Sequence, residues 1–401
     1  MVYSSSKYLM DNYFGDESEG FKVRRTDTRP MSATHIRSSS IPNSSPSLIP
    51  LSHSNGSKTN HNNIPFPPKV GKQSFSEHVD EALHFESVYT AYRQYATFSR
   101  FARRGWQQRL YSLPPSQRQY LPTALRDPDS LEAKDREQAF KDAEIRNQFL
   151  LDTILKYAGV PTSQEVLPGR GLNHDNLPAW ASEESISKVG SVLKSLARDW
   201  SEEGKPERDA AYNPILKALQ THLKISELDE NYMTYSQDLL DVRPIKVCVP
   251  GAGVGRLALE IRALGYEVQG NEFSSYMLLA SNFILNGGAH FNMPFRISPF
   301  LMETRNLSMA LNPTREIKIP DCDVMQMIHQ RKLSYIPDFS MVAGDFVTIY
   351  SDEKNYASWD CCVSCFFLDT APSIIEYFLV IHNMLIPGGL LINFGPLLYH
   401  W

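Results

Sequence analysis

The sequence predicts an α/β protein: a Rossmann-like parallel sheet behind a helical N-terminal domain and a disordered tail. Three observations carry this. Residues 245–249 form a short apolar strand that runs into Gly251-Ala252-Gly253-Val254-Gly255, and an apolar-periodic helix then continues through Leu264. A second strand at 266–269 leads to Glu272, a carboxylate 21 residues beyond Gly251, where a doubly wound fold places the acid that grips a ribose. Further apolar strands follow at 339–343, 359–369 and 390–394, with Asp345 and Asp369 at or just beyond the ends of the first two.

Residues 1–75 lack sustained apolar periodicity and are rich in Ser, Asn, Pro and His, with a low-complexity stretch at 38–63. Such a segment buries too little apolar area to offset the entropy of ordering it. Lys22, Arg24, Arg25, Arg29 and Arg37 make it locally basic, and a solvated tail is favoured over a docking arm.

Residues 76–240 are read as the helical domain. Apolar residues recur at helical spacing over 78–101, 117–120, 131–157, 185–200 and 210–223. Residues 241–401 form the sheet domain. After the second strand comes a helix at 273–286, then a Pro- and Asn-rich stretch at 287–334 that reads as an inserted lobe or long loop. The run 359–369 suits a central strand buried on both faces. A helix at 372–385 follows, and Pro387-Gly388-Gly389 turns into the fifth strand.

At 401 residues and net charge −5 the chain does not suit a dedicated nucleic-acid binder, which would carry a basic face. No apolar run is long enough for a transmembrane helix, and the first residues lack a secretory layout. Five cysteines, three of them in Cys361-Cys362-Val363-Ser364-Cys365, fit a reducing compartment. Alternating across a buried strand, they read as core rather than as metal ligands. The expected location is cytoplasmic, with the nucleus as an additional one.

The glycines let the backbone turn and approach a ligand closely, and the helix amides behind them face the same point. Their spacing is G-x-G-x-G, not the G-x-G-x-x-G of dinucleotide binders, and with no pyrophosphate to cradle the shorter form suits S-adenosylmethionine. Taken singly, the turn could be an ordinary strand-to-helix connection and Glu272 a solvated loop carboxylate. What raises them is one polar group per strand end: Gly251 and Gly253, Glu272, Asp345, Asp369 and His400. Asp345 fits a bond to an adenine amino group, with Phe346 packing on the base. Cys365 shares a face with Asp369 and so lines the same pocket without reacting. The other histidines read as surface or cap groups.

Several stretches together resemble the carnosine N-methyltransferase family, also called N2227-like proteins. They are residues 249–257, Gln269-Gly270-Asn271-Glu272-Phe273-Ser274, Gly344-Asp345-Phe346, Cys365-Phe366-Phe367-Leu368-Asp369-Thr370-Ala371 and residues 393–400, with Arg198-Asp199-Trp200-Ser201 and Glu207-Arg208-Asp209 upstream. The resemblance covers roughly 75–401. It implies a class I methyltransferase that moves a methyl group from S-adenosylmethionine to the imidazole Nπ of carnosine or related histidine-containing dipeptides, giving anserine. Carried over residue by residue, Gly251, Glu272, Asp345, Phe346 and Cys365 contact the cofactor and Arg198 caps it, while Asp369 and His400 hold the acceptor imidazole. Where the family often has a glutamine three residues before that arginine, this chain has Ser195.

The partner implied is a small dipeptide, with no nucleic acid, membrane or metal, and a homodimer is left open. The helix and antiparallel strand pair that usually follow the fifth strand are expected to be missing, which leaves that strand as an exposed edge. Two alternatives stand beside the dipeptide reading: a peptide- or protein-histidine methyltransferase, and a catalytically weak or inactive cofactor-binding relative.

Overall fold

The computed structural model describes residues 24–25, 47–50, 75–165, 180–225, 244–303, 313–329 and 337–399. Two short strands come first, β1 (Arg24–Arg25) and β2 (Ser47–Pro50). The helical layer follows: α1 (Phe75–Tyr111), the single turns α2 (Pro115–Arg118) and α3 (Thr123–Arg126), then α4 (Leu131–Tyr157), α5 (Glu183–Asp199) and α6 (Lys205–His222). Ser130 and Ser182 cap α4 and α5, each hydroxyl accepting from the N–H three residues on.

The sheet region begins with β3 (Lys246–Pro250), α7 (Arg256–Ala263), β4 (Glu267–Glu272) and α8 (Ser275–Leu285). An insert carries β5 (Phe295–Ile297), β6 (Ile317–Ile319) and α9 (Val324–His329). The remaining elements are β7 (Phe339–Ala343), α10 (Phe346–Tyr350), β8 (Trp359–Cys365), α11 (Ile374–Met384) and β9 (Leu385–Phe394).

The sheet order is β1-β9-β8-β3-β4-β7-β2, and the five inner strands run parallel. From β3 the chain steps outward through β4 to β7, then returns to the other side of β3 for β8 and β9. The order reverses beside β3, so the carboxyl ends of β3, β4, β7 and β8 surround one crevice. Helices on both faces bury β3 and β8 almost throughout, which is why both read as continuous apolar runs.

Two expectations are corrected at the fifth strand. Its outer edge is not left open, because β1 pairs antiparallel with it, Arg24 opposite Leu391 and Arg25 opposite Leu390. At the other edge β2 pairs antiparallel with β7, Ser47 opposite Ala343. Both strands come from the segment read as a tail; the rest of residues 1–74 lies outside the described residues. Strand edges with unpaired amides and carbonyls are templates for further pairing, which these short strands supply. The second correction concerns Pro387-Gly388-Gly389, which does not separate helix from strand. The strand already begins at Leu385, opposite Trp359, and the glycines bulge within it before pairing resumes at Cys361 opposite Leu390. Gly388, at φ +82°, takes the left-handed backbone this bulge needs.

Helical layer and sheet share one core. Tyr92 and Tyr95 of α1, Leu151 and Ile154 of α4 and Leu193 of α5 belong to the same buried cluster as Val247, Val249 and Phe283. The Tyr92 hydroxyl donates to the Tyr276 carbonyl at 2.6 Å, tying α1 to α8. The stretch read as an inserted lobe holds an antiparallel hairpin, β5 with β6, docked on α4. Asn147 exchanges two hydrogen bonds with the Ser298 backbone, at 2.9 and 2.7 Å.

The insert also contributes Asp321, whose side chain is 3% exposed. One carboxylate oxygen accepts from Arg208 of α6 at 2.6 Å and the other from Arg256 of α7 at 2.6 Å. Arg256 also reaches Glu260 at 2.8 Å and the Asp199 carbonyl at 3.2 Å, and its guanidinium lies over the Trp200 ring. Arg208 donates to the carbonyls of Arg198 and Ser201 at 3.0 and 3.1 Å. One buried carboxylate thus holds two arginines that grip the end of α5 against the start of α7. Removing it takes the close carboxylate partner from buried Arg208 and leaves buried Arg256 with Glu260 alone, and Asp321→Ala should lower unfolding stability by about 3–5 kcal/mol. Chemical denaturation checks this against Glu184→Ala, from an exposed helical pair, which should leave the midpoint almost unmoved.

Candidate functional site

The glycine loop closes β3 at the centre of the crevice. Gly251, Gly253 and Gly255 all have left-handed backbones, at φ +66°, +55° and +82°. Their surroundings separate their roles. A Cβ at Gly251 would stand 2.6 Å from Cδ2 of Phe367, and one at Gly255 would stand 2.6 Å from Cδ1 of Leu285. A Cβ at Gly253 would meet nothing within 4 Å. The outer two are glycines because protein packs against them; the middle one faces open space.

Glu272 stands at the end of β4 beside that loop. Its carboxylate accepts from the Gly253 N–H and from the Ser274 N–H, each at 2.8 Å. Burial pushes its pKa above the usual carboxylate range, and the backbone amides oppose the shift by favouring the charged form. The loop amide at Gly253 is therefore taken by Glu272. The acid holds the loop in shape and still has lone pairs for a hydroxyl donor. Asn271, which the sequence did not single out, donates to the Gly344 carbonyl at 2.9 Å and so ties the ends of β4 and β7 together.

Asp345 follows β7 and caps α10. One of its oxygens accepts from both the N–H and the hydroxyl of Thr348, at 2.8 and 2.9 Å. The residue is exposed to solvent. Phe346 corrects an expectation. Its side chain is 2% exposed and packs among Tyr350, Phe367 and Tyr377, with ring centroids 5.2–5.4 Å away. The ring belongs to the core under α10, because four aromatic side chains fill the space between that helix, α11 and the sheet. A ligand can meet Phe346 through its backbone N–H, which the first turn of a helix leaves without an intrahelical partner. An aromatic that is exposed at the strand ends is Phe273, 75% exposed directly after Glu272.

On the other side of β3, β8 ends at Cys365. Burial pushes this thiol up to about 12, so it stays protonated at neutral pH and is no nucleophile. Cys361 and Cys362 are fully buried and also shifted upward, as core cysteines are. Asp369, 4% exposed, sits in a single 3-10 turn four residues beyond Cys365. Between them Phe366 is 46% exposed with a left-handed backbone, φ +52°, and its N–H donates to the Phe394 carbonyl at 2.8 Å. Gly395 lets this turn pass, since a Cβ there would lie 3.0 Å from the Phe366 backbone. His400 lies outside the described residues.

Arg198 reaches the site from the end of α5. It pairs with Asp199 through Nε at 2.7 Å and Nη2 at 2.8 Å, and its side chain is 46% exposed. Ser195 is half-buried one turn earlier. The described structure therefore brings Arg198, Gly251, Gly253, Glu272, Asp345, Cys365 and Asp369 to the carboxyl ends of neighbouring strands or to the helix end that covers them. Asp199, Asp321 and Phe273 are additions. The sequence signal for the first was its place inside the Arg198-Asp199-Trp200-Ser201 run; Asp321 had none, because nothing local marks a long-range partner.

The glycine surroundings give a test. Gly251→Ala adds a clash to an unfavourable φ and should cost about 2–5 kcal/mol in stability. Gly253→Ala carries only the backbone strain, about 1–3 kcal/mol, and should fold while losing ligand affinity. Thermal melts and ligand titration of the two variants check this ordering. Cys365 should resist alkylation by iodoacetamide at pH 8, read by mass spectrometry.

The comparisons with known proteins address the same residues. The family model described as Carnosine N-methyltransferase matches residues 176–401, a span that runs from before Arg198 to beyond Asp369. The carnosine N-methyltransferase of Mus musculus is 36% identical over 335 residues, covering 84% of this chain and 75% of that protein. That of Schizosaccharomyces pombe is 38% identical over 218 residues, 54% of each chain. That of Dictyostelium discoideum is 41% identical over 218 residues, 54% of this chain and 42% of its own. With the parallel sheet reversing at its glycine loop and the family model spanning the strand ends on both sides, this chain belongs to the carnosine N-methyltransferase family.

Proposed function

We propose that the protein transfers a methyl group from S-adenosylmethionine to an imidazole nitrogen of carnosine or a closely related histidine-containing dipeptide, with anserine as the product from carnosine. The observation that carries this reading is the family match over 176–401, which includes every described residue that converges on the crevice.

The residues present fit the cofactor. The open cradle at Gly253 admits a ligand where a side chain would stand. Glu272 is placed at the end of β4 to accept from ribose hydroxyls. Asp345 offers one unshared oxygen to an adenine amino group, and the Phe346 N–H offers a donor to a ring nitrogen. Phe273 supplies an exposed aromatic face for the base. Arg198 presents a guanidinium to the carboxylate of the amino-acid end, and Cys365 lines the floor. When bound, S-adenosylmethionine supplies an electrophilic methyl on a sulfonium sulfur.

A neutral imidazole nitrogen is already nucleophilic toward such a carbon. The protein's work is to keep the ring unprotonated, choose its tautomer and align it. Asp369 accepts a hydrogen bond from the ring N–H not involved in transfer, which leaves the other nitrogen with its lone pair free. His400 is assigned to hold the same ring from the end of the fifth strand. The protonated Cys365 thiol cannot compete for the methyl, because no thiolate forms near neutral pH. Positioning accounts for most of the acceleration in such a site.

The direct test is mass spectrometry of the product from carnosine and methyl-labelled cofactor: labelled anserine is expected, and no labelled product from carnosine or from other histidine-containing dipeptides overturns the proposal. Asp369→Ala should cut turnover about 100-fold or more while cofactor affinity stays within about threefold. Phe273→Ala should weaken cofactor binding by about 1–3 kcal/mol, the usual worth of an aromatic stacked on a base. Below about pH 6.5 kcat/KM should fall, approaching tenfold per pH unit, as the acceptor imidazole takes up a proton and loses its lone pair.

A further inference from the structure

We propose that Asp199 is a positioning residue for the donor site, holding Arg198 so that one edge of its guanidinium meets the carboxylate of the cofactor's amino-acid end. The inference rests on the cofactor reading above.

Adjacent residues on a helix point about 100° apart and do not face each other. Arg198 and Asp199 nevertheless form a two-point pair, Nε to Oδ1 at 2.7 Å and Nη2 to Oδ2 at 2.8 Å. Asp199 closes α5, and the next residue, Trp200, has already left helical geometry at φ −128° and ψ 23°. The helix end gives the two side chains room to turn toward each other.

Both peptide units are also pinned. Arg208 donates to the Arg198 carbonyl at 3.0 Å, and Arg256 to the Asp199 carbonyl at 3.2 Å. The Tyr212 hydroxyl donates to Oδ1 as well, at 3.2 Å. Asp199 is thus fixed by its own backbone, by an arginine and by a buried tyrosine.

The pairing uses the Nε and Nη2 edge of the guanidinium and leaves the Nη1 and Nη2 edge. That second edge also carries two parallel N–H donors, the spacing that matches a carboxylate. The arginine side chain is 46% exposed, so this edge is within reach of a ligand, whereas the Asp199 side chain is 4% exposed and is not. The next residue, Trp200, donates its indole N–H to the Val254 carbonyl at 3.1 Å, which places the pair beside the glycine loop. A carboxylate buried there is costly to maintain, and an apolar side chain would fill the same space more cheaply. What the carboxylate adds is a guanidinium already ordered before the ligand arrives, which lowers the entropy lost on binding.

The test uses two ligands measured by calorimetry on the full chain. S-adenosylhomocysteine has the amino-acid end; 5′-methylthioadenosine has the same nucleoside and thioether without it. Asp199→Asn should weaken S-adenosylhomocysteine roughly tenfold or more and leave 5′-methylthioadenosine within about twofold. Arg198→Ala should show the same selective loss, and the double variant should add little to it. Tyr212→Phe removes only the supporting hydroxyl and should give a smaller loss with the same selectivity, which keeps the test available if Asp199→Asn does not fold. Equal weakening of both ligands by Asp199→Asn, or full additivity with Arg198→Ala, overturns the proposal in favour of a purely structural role. Wild-type protein that binds neither ligand overturns the cofactor reading itself, a result distinct from loss of selectivity.

Discussion

The carboxylate of Asp321 ties together three parts of the chain that are far apart in sequence. It arrives from the insert between β6 and α9, and its two oxygens meet Arg208 of α6 and Arg256 of α7. Those arginines also donate to carbonyls at the end of α5 and just beyond it, and Arg256 to Glu260. A buried charge network of this kind contributes little net stability compared with apolar packing, and its members here meet in one arrangement. Here that arrangement seats the helical layer against the glycine-loop helix, and the position of Arg198 over the crevice follows from it. Trp200 completes the joint: its indole N–H donates to the Val254 carbonyl inside the loop at 3.1 Å, and Arg256 covers its ring.

The crevice combines a rigid floor with a sparse set of polar groups. Gly251 and Gly255 are packed against Phe367 and Leu285, so the loop cannot drift, and Glu272 ties its central amide. Asn271 links the neighbouring strand ends, and Asp345 is steadied by Thr348. The titratable groups are arranged for binding more than for proton transfer. Cys365 is kept neutral by burial, and Arg198 is held all the more firmly protonated by the Asp199 carboxylate beside it. Such a site orients a reactive donor and a neutral acceptor and adds no nucleophile of its own, which suits methyl transfer to an imidazole nitrogen.

Much of this was legible from local pattern. The strand, glycine turn, helix and second strand around Gly251 and Glu272 announced themselves through periodicity and spacing, and α4 occupies the expected residues 131–157. Errors arose where a residue's environment is made by distant chain. Phe346 sits beside Asp345 at a strand end, which suggested a ring against the base; three aromatic side chains from α10, the β8 end and α11 claim that ring for the core. Pro387-Gly388-Gly389 has the composition of a turn, yet the neighbouring strand draws it into pairing as a bulge. The open edge expected on the fifth strand is met by Arg24 and Arg25, whose local sequence carries no strand signal.

By itself the sequence determined the order of the five inner strands and the main helices, the glycine turn and the acids at the strand ends, because helix and strand periodicity and glycine geometry act within a few residues. Only the tertiary structure decided which oxygens and amides remain free for a ligand. The Gly253 amide is taken by Glu272, half of Asp345 by Thr348, and one edge of Arg198 by Asp199. Hydrogen-bond capacity is finite, and its distribution depends on which atoms folding brings within about 3 Å.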